Sequence, residues 1–314
     1  MLNRRLIRVK VLQAVYAYHQ SEVKDKKSAR AFLKKSIMGI EDTFINCVQF
    51  SNEFFSFVKI KFNPVDKHIQ ASALEMWNFQ LLSGNSCLDV LINNDQTSTL
   101  FTKPSVNWTR DEDFLIMIYK EIIETPWFQE FSEDKSESFD KSQRFLVALY
   151  KYLIETSENF STKMEEINIH WQDEKIPVLK SIEKLLKSFN DEHESPKIPV
   201  LSKDLADDIE YSDKLLEMTI AHHQEYEDMI SARTPEWDSE RIARIDLFIM
   251  IMALAEFMEF PSIPVKVTIN EYLELAKTYS TPQSSKFING ILDKMLNELK
   301  KEGRVKKSGR GLVE

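Results

Sequence analysis

The sequence predicts an all-α fold, and three observations predict it. Apolar residues recur at helical spacing through most of the 314 residues. Only six glycines occur (Gly39, Gly84, Gly290, Gly303, Gly309 and Gly311), which leaves few places for hairpin turns or phosphate-cradling loops. The candidate segments also stop at prolines and short polar turns.

The first element is an amphipathic helix over residues 3–20, with Ile7, Val11, Ala14, Val15 and Tyr18 on one face and Arg4, Arg5 and Arg8 mostly on another. A second, long helix runs from about Ser28 to Lys61, where Ile37, Ile40, Phe44, Ile45, Val48 and Phe55 recur, and Pro64 stops it. Further helices are expected over 66–82, 85–93, 110–132, 139–156 and 175–189. The polar stretch 190–199 reads as a loop. Helical periodicity resumes from Asp204 to Ser231 and again from Ser239 onward. The stretch Ile245–Phe260 is the most apolar, but Asp246, Glu256 and Glu259 interrupt it, and it is too short and too charged to span a bilayer. A buried core helix is the expectation there.

Near the C-terminus, Asn270 is expected to cap a helix whose first turn holds Glu271 and Glu274, with Leu273, Leu275, Ala276 and Tyr279 as its apolar face. Ser280, Thr281 and Pro282 end it, because proline cannot continue the helical hydrogen bonds. The next helix carries Phe287, Ile288, Ile291, Leu292, Met295 and Leu296. Gly290 inside it costs about 1 kcal/mol relative to alanine, and close helix packing is the expected reason for it. The last residues, 300–314, are basic, with three glycines and few apolar side chains, and read as a disordered tail.

Composition narrows the function. With 43% hydrophobic and 29% charged residues the chain is an ordinary globular protein. Cys47 and Cys87 are too few for a disulfide framework or a cysteine metal site, and with no visible signal peptide this implies a reducing cytoplasm. The net charge of -9 is unevenly spread. Residues 1–35 hold ten basic against two acidic side chains, and residues 300–314 hold six against two, so basic ends bracket an acidic body. Such segregation suits local binding of a polyanion, and the acidic surface suits a basic protein partner.

Catalytic constellations are absent: there is no glycine-rich phosphate loop, CxxC, HExxH or GxSxG. His222 and His223 are adjacent and would point about 100° apart on a helix, so they read as surface histidines rather than metal ligands. The acidic pairs at 165–166 and 207–208 read as solvated helix faces. No catalytic residue, metal ligand or cofactor is therefore assigned. The basic N-terminus is the stronger candidate. Arg4, Arg5, Arg8 and Lys10 lie within two turns, followed by Tyr16 and Tyr18, and arginine forks with tyrosine stacking surfaces suit single-stranded RNA. A solvated helix start is the alternative reading of the same residues.

Two blocks carry a family resemblance. RRLIRVKVLQAVYAY (Arg4–Tyr18) resembles the arginine-rich first helix of the NusB family, the bacterial transcription antitermination factors, and VKVTINEYLELAK with SSKFINGILDK resembles its C-terminal helices. The resemblance implies a NusB-like helical bundle with a large helical insertion: residues 1–62 as the N-terminal bundle helices, 63–200 as the insertion, 201–299 as the C-terminal part, and 300–314 as the tail. It implies binding of boxA-like single-stranded RNA through Arg4, Arg5, Arg8, Tyr16, Tyr279, Gln283, Lys286 and Phe287, to which the basic run adds Lys10. Gln283 stands where many relatives carry an acid, so phosphate would be repelled less.

The resemblance further implies a basic protein partner, the small-subunit ribosomal protein that doubles as NusE, contacted through Asp246, Glu256 and Glu259. In IDLFIMIMALAEF (Ile245–Phe257) Leu247 and Ile251 replace two arginines usual in the family, which suggests a face packed on the insertion. Other Nus factors, RNA polymerase and self-association complete the implied partners, and no membrane is among them. An RNA-modifying enzyme or a protein-interaction scaffold built on a NusB-like domain are the alternatives, the first because such domains also occur fused to ribosomal RNA methyltransferases.

Overall fold

The computed structural model describes residues 1–64, 72–102, 106–190, 195–234 and 243–312. Among these the chain is all-helical, with no strand. In order the helices are α1 (Arg4–Gln20), α2 (Lys26–Lys61), α3 (Ala73–Ser83), α4 (Ser86–Asn93), α5 (Glu112–Ile123), α6 (Pro126–Glu133), α7 (Phe139–Glu155), α8 (Glu158–Ile167), α9 (Trp171–Leu186), α10 (Leu205–Ala221), α11 (His223–Ser231), α12 (Arg244–Glu259), α13 (Val265–Tyr279) and α14 (Ser284–Lys301). The expected helix starts at residue 66 and Ser239, and residues 191–194 of the expected loop, lie outside the described residues.

Local chemistry explains where the helices depart from expectation. The segment expected as one helix over 110–132 is two, because Thr125 accepts a hydrogen bond from the Phe128 N–H and Pro126 takes the first helical position, where its missing donor is harmless. The helix expected over 204–231 breaks at His222, whose backbone (φ -103°, ψ 15°) leaves the helical region. Helix α8 was not expected; Ser157 caps it through the Phe160 N–H, and Phe160 and Met164 are its buried residues at i, i+4. Asn270 does not cap α13. The helix starts at Val265, because Val265, Thr268, Ile269, Tyr272, Leu275 and Ala276 form one buried stripe, and Asn270 lies exposed within it.

The chain forms two compact units. The middle unit comprises Met38–Lys203 with Met1–Leu2, and the terminal unit comprises Asn3–Ile37 with Asp204–Glu314. The division falls inside α2, and so differs from the expected limit after residue 62.

The middle unit is built around aromatic rings. Phe50 stacks on Phe54 at 5.4 Å and meets Trp108 and Phe160 edge-on at 5.1 and 5.0 Å. Phe145 gathers Trp127, Phe128 and Phe131 in the same way. A buried polar knot interrupts it: the Glu174 carboxylate accepts from Thr43 Oγ1 at 2.7 Å and from Asn168 Nδ2 at 2.8 Å. Cys47 and Cys87 are both buried and free, and burial pushes both thiols up, so neither is a ready nucleophile.

The terminal unit packs α1, α10, α11, α13 and α14 around α12. From Phe248 to Phe257 every residue of α12 is buried, as an all-round apolar helix must be. Gly290 is exposed, and a methyl group there would meet no neighbour within 4 Å, so close packing is not its reason.

The tail is ordered through Leu312, against expectation. Gly303 takes φ 69°, closing α14 with a bond from the Arg304 N–H to the Leu299 carbonyl. Lys307 Nζ then donates to the carbonyls of Phe260 (2.9 Å) and Glu256 (3.3 Å), which end α12, and the Ser308 N–H donates to the Pro261 carbonyl. Burial pulls the Lys307 ammonium down to about 8. Gly311 lies so close to the Pro261 carbonyl oxygen that any side chain would overlap it. A charged group seated on a helix C-terminus and glycines that fit a tight path thus replace the missing apolar contacts.

Candidate functional site

Asn3 caps α1 by accepting from the Leu6 N–H, and the first turns then present Arg4, Arg5 and Arg8. Each arginine meets a carboxylate of its own unit. Arg4 pairs with Asp207 and Asp208 and lies 4.1 Å above the Tyr211 ring. Arg5 forks onto Glu271 through two bonds of 2.9 Å, and that hydrogen bonding lowers the Glu271 pKa. Arg8 forks onto Glu256 at 2.8 and 2.7 Å, with both side chains buried.

Glu256 is the hub of this network. Besides Arg8 it accepts from Tyr211 OH at 2.6 Å, Thr268 Oγ1 at 2.8 Å and Tyr272 OH at 3.3 Å. Burial alone would lower the Arg8 pKa, but the charge and hydrogen bonds of Glu256 raise it above its ordinary value. Burial, then the same carboxylate, pushes both tyrosines well above theirs. A buried ion pair survives only when its remaining lone pairs are satisfied, and here three hydroxyls satisfy them.

This geometry redistributes the expected site residues. Arg8 and Lys10 are buried, so neither offers a cation to a ligand in solution; Arg8 faces inward because Glu256 binds it there. Glu256 is likewise fully buried and offers no free carboxylate to a partner. Two residues expected to meet two different ligands bind each other. Arg4 and Arg5 keep partial exposure but are tied to carboxylates. Glu259 is half-buried at the rim of a groove of about 1040 Å³ that Arg4, Arg5 and Arg310 also line. Asp246 is buried at the start of α12, with one carboxylate oxygen lacking a hydrogen-bond partner.

The aromatic part of the set lies further along the bundle. Tyr16 is 42% exposed and meets Phe248 edge-on at 6.0 Å. Beside it, His19 stacks against His223 at 4.0 Å and Phe248 at 5.0 Å, and Tyr18 meets His19 edge-on. Burial, helped by His223 and Lys24, pulls His19 down to about 4, so the stack is neutral at neutral pH. The sequence reads His223 as a surface residue and does not single out His19; their only signal is position, one at the end of α1 and one after the break at His222.

At the turn between α13 and α14, Ser284 Oγ bonds Ser280 and Thr281 at 2.9 and 2.8 Å and fixes the chain reversal. Gln283 and Lys286 are exposed there, while Tyr279 and Phe287 are half-buried. Among the described residues no group of three or more histidines, cysteines or acids is placed to hold a metal, and no helix is long and apolar enough to cross a membrane.

Comparison with known proteins agrees with this bundle. The NusB family model matches residues 178–297. The chain is 42% identical over 118 residues to the transcription antitermination protein NusB of Chloroherpeton thalassium, covering 37% of this chain and 56% of that one. The proteins of the same name from Salinibacter ruber (38% over 104 residues) and Natranaerobius thermophilus (37% over 92 residues) cover 33% and 29% of this chain and 65% and 66% of their own. The chain thus spans less than two thirds of each relative's length. No solved structure matches it. Residues 178–297 of this all-helical chain are a NusB family domain, to which a further N-terminal helical region is joined.

Proposed function

We propose that the protein is a noncatalytic transcription antitermination factor that binds boxA-like single-stranded RNA together with the ribosomal protein NusE, promoting ribosomal RNA transcription and processing. The observation that carries this reading is the NusB family domain at 178–297, whose relatives bear the name transcription antitermination protein. The RNA contacts are assigned to the side chains left open to solvent: Tyr16 for base stacking, and Lys286 and Gln283 for phosphate, with Tyr279 and Phe287 behind them. Arg5 can join through its exposed portion, in competition with Glu271. The basic partner is assigned to Glu259, which keeps part of its surface open while Asp246 and Glu256 are buried.

Fluorescence anisotropy with labelled boxA-like RNA and a scrambled control, across a salt series and with or without NusE, tests the reading. Selective binding that NusE tightens is expected. Tyr16→Ala should weaken it by about 1–3 kcal/mol, the usual loss for one stacked base. Equal, weak binding of both RNAs regardless of NusE would overturn the proposal.

A further inference from the structure

A second surface of the terminal unit has no place in that reading. Helix α2 opens with Lys26, Lys27, Arg30 and Lys34, all exposed, on about 12 Å of helix. Lys27, Arg30, Ala31 and Lys34 share one stripe, since residues three and four apart are neighbours on a helix. Opposite them α10 presents Asp213, Leu216, Glu217 and Ile220, and the space between is a groove of about 480 Å³.

The charges of this groove do not cancel. Arg30 engages both facing carboxylates, Glu217 at 3.1 Å and Asp213 at 3.6 Å. Asp25, next in sequence, is occupied in capping α2, accepting from the backbone N–H groups of Lys27 and Ser28. Lys26, Lys27 and Lys34 form no ion pair among the described residues. A patch of three unpaired ammonium groups on a molecule of net charge -9 is a local reversal of sign, and it draws anionic groups to this place and not elsewhere.

Between the charges the groove is aliphatic. Ala31, Leu216 and Ile220 form its floor, and lysine stems add methylene surface to the walls. None of its lining side chains is aromatic, so nothing there stacks a base, and a phosphate run would meet Glu217 and Asp213 along one wall. An amphipathic helix has what a nucleic acid lacks: an apolar ridge, with flanks that can differ in charge. We propose that this groove docks an acidic amphipathic helix of a partner protein, its aliphatic ridge on Ala31, Leu216 and Ile220 and its carboxylates on Lys26, Lys27 and Lys34. Such a partner is opposite in charge to NusE and is therefore a separate one.

The test uses the full chain and a fluorescent peptide of about five helical turns, with leucine at i, i+3, i+4 and i+7, glutamate on the flank that faces α2 and glutamine elsewhere. Its controls are the scrambled peptide, the same pattern with lysine for glutamate, and an oligouridylate. The patterned acidic peptide should bind, and the scrambled and lysine peptides should not. A Lys26→Ala/Lys27→Ala/Lys34→Ala variant, which removes only exposed unpaired side chains, should weaken binding about tenfold. Ile220→Ser should weaken it independently, and both variants should keep the wild-type circular dichroism melt. Peptide binding that is equal in wild type and triple variant, or equal for scrambled and patterned peptide, overturns the proposal. So does a triple variant that loses oligouridylate affinity instead, which would make the patch a phosphate contact. A dimer in sedimentation that the triple variant abolishes would make it a self-interface and overturn the proposal equally.

Discussion

Each unit of this protein buries a carboxylate, and the two are held differently. In the terminal unit Glu256 is forked by Arg8 and closed by Tyr211, Thr268 and Tyr272. In the middle unit Glu174 sits against Thr43 and Asn168 beneath a core of phenylalanine and tryptophan rings. The first arrangement restricts residue type at five positions spread from 8 to 272, because each donor has a fixed geometry around two oxygens. The second leaves most of the work to rings and aliphatic groups, and such cores tolerate volume-conserving exchange. A unit organised by directed polar bonds therefore carries a readable pattern, and a unit organised by volume does not. The family match at 178–297, covering most of the terminal unit's helices and little of the middle unit, accords with that difference.

The comparison breaks most directly at Glu256. Glu256→Ala leaves the Arg8 guanidinium buried without its counter-charge and should cost about 3–5 kcal/mol in urea unfolding. Replacing both partners, Arg8→Met with Glu256→Leu, should recover much of that loss. No recovery would mean that the hydroxyl donors, left without an acceptor, dominate the penalty. In the middle unit Glu174→Leu removes an acceptor from Thr43 and Asn168 and should cost about 1–3 kcal/mol, the usual penalty for an unsatisfied buried donor. A loss as large as that of Glu256→Ala would erase the distinction drawn between the two units.

The smallest effects sharpen it. Gly290 in α14 and Gly39 in α2 have open space where a methyl group would go. Gly290→Ala in the terminal unit and Gly39→Ala in the middle unit should each stabilise by about 0.5–1 kcal/mol through helix propensity. If the units unfold separately, each variant shifts only its own thermal transition; a common shift would show that they unfold as one.

Most of the helical architecture was legible because apolar periodicity is local. The all-α class, α1, the long α2 with its stop near Pro64, and the buried α12 all follow from spacing and breakers. What was not legible was set by chain geometry or by distant partners. The break at His222 is a backbone excursion with no proline or glycine to announce it. Asn270 has a capping side chain but lies inside a helix, because a buried stripe extends upstream of it. Arg8 reads as a surface cation until Glu256, 248 residues away, is brought beside it. The docked tail likewise depends on carbonyls at the end of α12 that no local pattern reveals. Of the candidate residues, the exposed placement of Tyr16, Gln283 and Lys286 was legible. The reversal of Arg8, Lys10 and Glu256 from ligand-facing to interior was not.

The Arg8–Glu256 pair also has a consequence in time. At ribosomal elongation rates of about 5–20 residues per second, some 12–50 seconds separate the synthesis of Arg8 from that of its carboxylate. For most of that interval α1 has a finished sequence and no bundle to enter, since α10 and α12 come late, while residues 38–203 emerge whole and can fold first. Helix α1 is thus made well before the bundle that buries it, and nascent-chain chaperones would meet its apolar face before its own bundle does.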